Sequence, residues 1–364
     1  MAGASLLVLI CSASAMRAPV LICSASAMRA PAERKWSRAT AGESPPQRAT
    51  RLDAHREHQA RQKQRHLARL DRLLQNAHKK LAEPLPCGQH DIDWDRLPPG
   101  CDPCGVATKM RAGTLRGDRK RESISAMAHL LESSLLPQVA ASPRPTVVDA
   151  GCGTGSLLLP LAALFPSVRF VGVDTKAGSL DRFRMRAARA EFDSTRVQAW
   201  QGLIEDYDGP CDCVLSLHAC GGASDAALRL AADRSVPFAI SPCCIGKLVR
   251  GPASAWLKRQ LAEVCGAEQE VQDVPSEVST TKLFALLAAW ADSEHVAPVT
   301  GSAGSEDATR RQRCKLIVEH DRLSAKGERS PAATEGAGRI LRISGSAMRT
   351  STQVEVLTGP WPSG

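Results

Sequence analysis

The chain has 364 residues, of which 43% are hydrophobic, and carries a formal net charge of +9. That length suits one large domain with appendages, or two domains, and the apolar fraction supports a buried core. No stretch approaches the ~18 uninterrupted apolar residues of a membrane helix, so we expect no membrane partner. Residues 32–80 hold 13 Lys/Arg and 5 Asp/Glu, whereas the rest holds 34 and 33. The basic character therefore belongs to one segment and does not describe the remaining chain.

The first 31 residues contain a tandem duplication, because VLICSASAMRAP occurs at 8–19 and again at 20–31. A short apolar run followed by Ala-Ser-Ala-Met is compatible with a cleavable targeting segment. The context resembles the cleavage motif of bipartite plastid leaders, while a duplicated, disordered terminus is the alternative. The thirteen scattered cysteines indicate reduced thiols. We therefore expect an intracellular protein, either in a plastid or another organelle or in the cytoplasm, and exclude 1–31 from the fold.

Residues 32–82 are predicted to be a basic linker followed by a helix. Apolar residues recur there at helical spacing, with basic and polar residues on the other faces: Leu67, Leu70, Leu74, Ala77 and Leu81. One interpretation is a basic arm that contacts RNA phosphates. The alternative is an amphipathic helix that packs on the main domain or on a partner, and the lack of interleaved aromatic residues favours it.

Residues 83–115 are predicted to be a Cys/Pro-rich loop. The loop contains two ligand pairs with short spacing, Cys87 with His90 and Cys101 with Cys104. Such pairs can converge on a tetrahedral zinc ion. The spacing differs from the common zinc frameworks, so we assign no metal ligand and keep zinc only as an open alternative.

From residue 116 to residue 361 the pattern alternates between helices and strands. The predicted strands are 146–149, 169–174, 197–201, 213–218, 238–241, 314–320 and 339–344, and the predicted helices are 116–140, 155–165, 177–192, 223–233 and 252–265. Such alternation indicates right-handed βαβ units. The prediction is an α/β fold: a Rossmann-like, seven-stranded, mostly parallel sheet with helices on both faces.

A glycine loop follows the first strand of this region, in the sequence VVDAGCGTGS. Asp149 ends the strand, and Gly151, Cys152, Gly153 and Gly155 form the loop. Glycine is needed where the backbone turns tightly or where a ligand approaches it closely. A dinucleotide loop would place its third glycine where Ser156 stands, and no phosphate-binding Lys-Ser/Thr follows. The pattern resembles motif I of class I S-adenosylmethionine (SAM) methyltransferases, which implies their fold and SAM as cofactor.

Acidic residues follow the next two strands at the positions that SAM binding would require. Asp174 lies 25 residues after Asp149, where a carboxylate can accept hydrogen bonds from both ribose hydroxyls. Glu205 or Asp206, after the third strand, would lie near the adenine amine. Each acid alone could be a solvated loop carboxylate, but their order and spacing together favour a cofactor site.

The following two strands end in LHACGGASD and SPCC, which place His218, Cys220, Cys243 and Cys244 at their tips. This ACG–PCC pair resembles a subfamily of methyltransferase-like domains that includes part of the glutathione-S-transferase C-terminal-domain-containing protein. It is also similar to a tRNA 2′-O-methyltransferase. The resemblance covers about 91–361, where RRQRCKLIVEHDRL and RILRISG…TSTQVEVLTG look like the last two strands.

The chemistry of these four side chains remains open. They can line the acceptor pocket with His218 as general base, which is the interpretation we favour. A cysteine can attack a pyrimidine ring, provided that its pKa is lowered. The four can bind zinc, or small cysteines can simply fit crowded strand ends.

The sequence therefore predicts a SAM-dependent methyltransferase with an RNA substrate, and the resemblance makes tRNA the first candidate. The alternatives are a SAM-binding scaffold or regulator without catalysis and a small-molecule methyltransferase. The sequence does not indicate an oligomeric state.

Overall fold

The computed structural model describes residues 43–78, 81, 84–105, 112–217, 221–242, 245, 248, 251–266, 276–291, 302–329, 339–343 and 354–359. The chain divides into two compact units, 1–65 and 66–364. In the first unit the described residues are 43–65, which contain the N-terminal part of helix α1, Pro45–His78. The second unit contains the sheet and all other helices of the described chain.

Eight strands form one sheet in the described part of the chain. In chain order they are β1 (Leu85–Cys87), β2 (Thr146–Ala150), β3 (Arg169–Asp174), β4 (Val197–Gln201), β5 (Cys213–Leu217), β6 (Phe238–Ser241), β7 (Arg339–Ile343) and β8 (Val354–Gly359). Their spatial order is β1-β7-β8-β6-β5-β2-β3-β4. Only β8 runs antiparallel to its neighbours, so the predicted mostly parallel sheet is confirmed.

Helices connect these strands. They are α2 (Leu115–Leu130), α3 (Leu158–Leu164), α4 (Ala177–Arg189), α5 (Gly222–Asp233), α6 (Ala255–Gly266), α7 (Ser276–Ala291) and α8 (Ser302–Arg329). Helix α2 continues through a π-helical turn, Leu131–Leu135, and a 3-10 turn, Leu136–Val139. None of the helices in the described chain combines the length and apolar character that crossing a bilayer requires.

Both faces of the sheet are covered, as the continuous apolar strands predict. Side chains of β2 alternate between two cores because successive residues of a strand point to opposite faces. Val147 packs with residues of α2, α3 and α4, including Met127 and Phe183. Val148 packs with α5 residues, including Leu230. The core in which a strand residue packs therefore shows which face of the sheet that residue lies on.

A third core lies among the helices. It joins the C-terminal part of α1 to α6, α7 and α8, and its members include Leu70, Leu73, Leu74, Ala77, Leu257, Leu261, Leu287, Cys314, Ile317 and Val318. The leucine spacing of α1 is thus explained by burial within the second unit. The predicted helix is confirmed, and its apolar stripe packs on other helices of the same chain.

The predicted strand 314–320 is wrong, because these residues lie inside α8. A short apolar run such as Cys-Lys-Leu-Ile-Val does not by itself distinguish a strand from a buried helix. Here Cys314, Ile317 and Val318, at helical spacing, face the third core. Among the described residues the last two strands are instead β7 and β8, and β1 adds an edge strand, so the described sheet has eight strands rather than seven.

We expect Leu73→Ala to lower the free energy of unfolding by about 2–5 kcal/mol, the cost of a cavity in a packed core. Leu73 is fully buried in the third core, whereas Leu85 in β1 is 52% exposed. The matched control Leu85→Ala should stay within about 0.5 kcal/mol of the wild type. Chemical denaturation measures both, and equal losses would contradict the assignment of α1 to this core.

Candidate active site

The candidate site lies at the carboxyl edge of the parallel strands. Because β2 to β6 are parallel to their neighbours among these five, their carboxyl ends meet at one edge, where open α/β sheets bind ligands. The register pairs Ala150 with Val173, Asp174 with Gln201, and Leu217 with Ser241. The glycine loop, Asp174 and the residues after β4 are therefore brought together, as the sequence predicts.

The glycine loop adopts backbone conformations that favour glycine. The φ angles of Gly151, Gly153 and Gly155 are 81°, 56° and 75°. A side chain at Gly155 would overlap the ring of Phe183, whereas the corresponding space at Gly153 contains no heavy atom within 4 Å. Gly155 thus permits close packing of the loop on α4. Gly153 presents an open backbone face that a ligand can approach.

Asp174 connects the end of β3 to the glycine loop. Its Oδ2 accepts a hydrogen bond from the backbone N–H of Gly153 at 2.9 Å, and its Oδ1 accepts one from Lys176 N–H at 2.8 Å. A carboxylate has about four acceptor positions. Each oxygen of Asp174 therefore retains acceptor capacity for a hydroxyl group of a ligand.

The residues after β4 form a 3-10 turn, Ile204–Asp206. Glu205 and Asp206 are both exposed, and Glu205 accepts a hydrogen bond from Arg229 at 3.0 Å. Leu203, which sequence reasoning missed, is a large apolar side chain that is 54% exposed. It directly follows Gly202, whose N–H donates to the carbonyl of Asp174. This turn thus offers an apolar surface beside Asp174 as well as two carboxylates.

Asp149 is a buried acid at the end of β2, with only 2% of its surface exposed. Its Oδ2 has no hydrogen-bond partner among the described residues. Burial raises the pKa of this carboxyl to about 7, and the charge of Asp174 raises it further, whereas Lys120 of α2 lowers it. A buried, unpartnered acceptor is costly, and a cationic or hydrogen-bond-donating ligand would satisfy it.

Cys152 contributes its backbone, not a reactive thiol. Its side chain is buried against Gly172 of β3, since a Cβ at Gly172 would lie 2.7 Å from the Cys152 sulfur. Burial raises the pKa of this thiol far above its ordinary value. Because the thiolate is the nucleophilic form, Cys152 stays protonated and unreactive.

Arg186 of α4 is a site residue that sequence reasoning missed. Its guanidinium is buried and donates to the carbonyl of Thr154 in the glycine loop at 2.8 Å. It also donates to the carbonyls of Gly100, Cys101 and Asp102 at 2.8, 3.3 and 3.3 Å. One side chain thus fixes both the glycine loop and a segment far upstream. Its position on α4 offers no distinguishing sequence signal.

The same upstream segment is held a second time by α2. Arg121 forms two hydrogen bonds with the carboxylate of Asp102, at 2.7 and 3.3 Å. The Arg121 guanidinium also lies 5.1 Å from the centre of the Trp94 ring. Paired guanidinium–carboxylate contacts of this kind constrain geometry as well as adding energy. Residues 94–102 are therefore fixed beside the glycine loop.

The two upstream ligand pairs, Cys87 with His90 and Cys101 with Cys104, lie among the described residues. Cys87 and Cys101 lie in the hydrophobic core, where burial raises their pKa to about 11 and about 12. The Nε2 of His90 lies 3.6 Å from the carboxylate of Glu132. In the part of the chain that the structure describes, no three His, Cys, Asp or Glu side chains converge as metal ligands would.

The predicted catalytic residues, His218, Cys220, Cys243 and Cys244, lie outside the described residues, so their roles stay predictions. Two residues before Cys243 in the sequence, the described chain contains Ser241, which sequence reasoning missed. Its side chain is 1% exposed, and its hydroxyl has no partner among the described residues. The neighbouring Ala239 packs in the same core as Val147, so alternation places Ser241 and Asp149 on one face of the sheet.

Comparisons with known proteins match part of the chain to a domain family. Residues 119–251 match the family described as "Methyltransferase domain". The Drosophila melanogaster "Glutathione S-transferase C-terminal domain-containing protein homolog" is 28% identical over 236 residues, which are 65% of this chain and 36% of that protein. The human "Glutathione S-transferase C-terminal domain-containing protein" is 25% identical over 178 residues, 48% and 26% of the two chains. The chain thus spans about a third of the fly relative's length.

Two further matches are to proteins named as methyltransferases. A "Trans-aconitate 2-methyltransferase" of Paracidovorax citrulli is 42% identical over 66 residues, 18% of this chain and 25% of that protein. The solved magnesium protoporphyrin IX methyltransferase of Synechocystis is 13% identical, with a TM-score of 0.33 and coverage of 67% and 84%. The family match lies within the predicted methyltransferase domain, 116–361. The sheet confirms the predicted α/β class.

Substitution of two loop glycines should show which of them is required for packing of the loop on α4. At both positions a non-glycine residue meets a strained backbone, at about 1–2 kcal/mol. Gly155→Ala adds overlap with Phe183, so it should lose about 1–3 kcal/mol more than Gly153→Ala. Thermal and chemical denaturation measure the difference. Equal losses for the two variants would contradict the packing assigned to Gly155.

Proposed function

We propose that this chain, which carries a methyltransferase domain, is a SAM-dependent methyltransferase that acts on RNA, with tRNA as the first candidate. The observation that carries the proposal is the buried Asp149 beside an open glycine loop, since its Oδ2 has no hydrogen-bond partner among the described residues. A ligand that brings positive charge to this position resolves the cost of burying that acid. SAM is such a ligand, because it carries an ammonium and a sulfonium group.

The residues of the edge fit the parts of this cofactor. Asp149 would accept the ammonium group, and the open backbone at Gly153 would lie beside the methionine moiety. Asp174, with its remaining acceptor capacity, would bind the ribose hydroxyls. Leu203 would pack on the adenine, with Asp206 or Glu205 near its amine. When bound, SAM supplies an electrophilic methyl group, so the protein has to orient an acceptor atom and remove its proton.

The acceptor side is proposed to lie at the ends of β5 and β6. Leu217 and Ser241 pair at these ends, and the buried hydroxyl of Ser241 lies on the sheet face of Asp149. A hydroxyl without an internal partner can bind a polar group of the acceptor. His218 remains the proposed general base, since an imidazole titrates near neutral pH.

The RNA assignment is supported by charge and by the relationship to the ACG–PCC subfamily. The described residues of the first unit include several exposed basic side chains on α1: Arg56, Arg61, Lys63 and Arg65. Contacts between such side chains and phosphates provide affinity without sequence specificity. Specificity for an RNA and its acceptor atom would then come from the methyltransferase domain.

Methyl transfer from labelled SAM to total RNA and to a tRNA fraction tests the proposal. Wild-type protein should label RNA. Asp149→Asn should reduce kcat/KM for SAM by about tenfold or more, because the cofactor loses its ionic partner. The matched control is Asp181→Asn, since Asp181 is an exposed acid on α4 paired with Arg184. It should retain wild-type activity.

The outcomes separate the candidate functions. Label in a protein or small-molecule fraction, with none in RNA, would overturn the RNA substrate. A rise in melting temperature with SAM but no transfer to any fraction would instead indicate a binding protein without catalysis.

Binding of SAM should weaken as the pH falls below about 7. The pKa of Asp149 is raised to about 7 in the unliganded protein, so the acid is largely neutral at pH 5.5 and ionised at pH 7.5. A cationic ligand prefers the ionised acid, and protonation therefore competes with binding. Calorimetry at both pH values should show affinity lower by about tenfold per pH unit below 7.

Two variants control this pH dependence. Asp149→Asn has no titrating group at this position, so its affinity should be weaker but should change little between pH 5.5 and 7.5. Asp181→Asn should reproduce the wild-type profile. A wild-type affinity that is independent of pH would refute the ionic role of Asp149.

A further inference from the structure

Four consecutive residues of α8, Glu-His-Asp-Arg at 319–322, lie within the stretch that the sequence predicts as a strand and its flank. Glu319, Asp321 and Arg322 are buried, although all three are ionisable. Buried charges are retained only when they are paired or hydrogen-bonded. Their partners lie in two different segments of the chain, each of which follows the end of a central strand.

Asp321 holds the segment that leads from β6 into α6. Its Oδ1 accepts hydrogen bonds from the N–H and hydroxyl of Ser254 at 2.8 and 2.7 Å, and its Oδ2 accepts one from Ala253 N–H at 3.0 Å. The Ser254 hydroxyl in turn accepts from Leu257 N–H at 3.1 Å. Asp321 therefore accepts from two backbone N–H groups directly before α6, and the Ser254 hydroxyl that it binds accepts from one in the first turn.

Arg322 holds the segment that leads from β5 into α5. Its Nε donates to Asp225 in the first turn of α5 at 3.0 Å, and its Nη2 donates to the carbonyl of Gly221 at 3.4 Å. Glu319 balances the charge by accepting two hydrogen bonds from Arg322 Nη1 at 3.1 and 3.0 Å. Gly221 lies only four residues beyond Leu217, the last residue of β5.

His320 completes the contact with α6. Its ring stacks on Trp256 with a centroid distance of 4.6 Å, and its Nδ1 lies 3.1 Å from the hydroxyl of Ser324. The contact fixes α8 against α6 at the same level as Asp321. One turn of α8 thus contacts both chain segments that follow β5 and β6.

We propose that Asp321 and Arg322 of α8 are positioning residues for the methyl acceptor, because they hold Gly221, which follows β5, and Ser254, which lies between β6 and α6. The inference rests on the proposed function, in which the acceptor binds at these strand ends. The cofactor residues Asp149, Gly153 and Asp174 lie at β2 and β3, and none of the hydrogen bonds described above joins them to α8. Loosening the α8 contacts should therefore impair use of the acceptor and leave cofactor binding intact.

Two conservative variants test the proposal. Asp321→Asn replaces an acceptor oxygen with an NH₂ group beside backbone donors, and Arg322→Lys keeps the charge but removes the planar fork. The matched controls are Asp307→Asn and Arg310→Lys, because Asp307 and Arg310 pair with each other on the same helix. The controls contact neither of the two segments in the bonds described.

Hydrogen exchange followed by mass spectrometry tests the contacts of Asp321 and Arg322 without any substrate. Asp321→Asn should accelerate exchange in peptides covering 251–258, and Arg322→Lys in peptides covering 213–226, each by about tenfold. The controls should leave both regions unchanged. Unchanged exchange in both test variants would overturn the inference, whether or not the protein methylates RNA.

Steady-state kinetics with labelled SAM and a tRNA fraction tests whether these residues position the methyl acceptor. The KM for tRNA should rise by about tenfold in the test variants, while the KM for SAM stays within about twofold of the wild type. An equal rise in both constants would indicate a general structural role and contradict positioning. If wild-type protein labels no RNA, the proposed function fails. Faster hydrogen exchange in 213–226 and 251–258, with unchanged affinity for SAM, would still support the structural role of Asp321 and Arg322.

Discussion

The buried guanidinium of Arg186 is the interaction on which the candidate cofactor site depends. Three loop glycines have positive φ angles. Because glycine adopts positive and negative φ about equally well, local backbone preference does not by itself hold the loop in this conformation. Arg186 donates to the loop carbonyl of Thr154 and to the carbonyls of Gly100, Cys101 and Asp102. These bonds satisfy a cation that burial would otherwise penalise, and they attach the loop to a segment that precedes the domain.

The parallel arrangement of β2 to β6 supplies the second constraint. It collects on one edge residues that are far apart along the chain, and each of them serves a different requirement. Asp174 binds the loop backbone and keeps acceptor capacity for a ligand. Asp149 is a buried acid whose Oδ2 has no hydrogen-bond partner among the described residues. On the other side of the same edge, α8 holds the segments after β5 and β6 through Asp321 and Arg322. The cofactor side and the proposed acceptor side are thus supported by separate helices.

Sequence patterns predicted the parts of the site that depend on short-range chemistry. The glycine loop, Asp149 and Asp174 could be placed at strand ends from the sequence, because tight turns need glycine and both acids directly follow apolar runs. The helical identity of 314–320 was missed, since a run of apolar residues fits a strand as well as a buried helix face. Arg186 and Ser241 were missed because their importance depends on partners, or on their absence, in distant parts of the chain.

The sequence by itself determined the α/β class, the positions of the central strands along the chain and the presence of a glycine loop after the first of them. These features follow from apolar periodicity and from local backbone requirements, which are readable residue by residue. Only the tertiary structure decided that Arg186 joins the loop to the upstream segment, that Cys87 and Cys101 are core residues, and that α8 binds the residues directly before α5 and α6. Such decisions depend on which distant groups meet in a buried environment, where an ionisable side chain must find its partner.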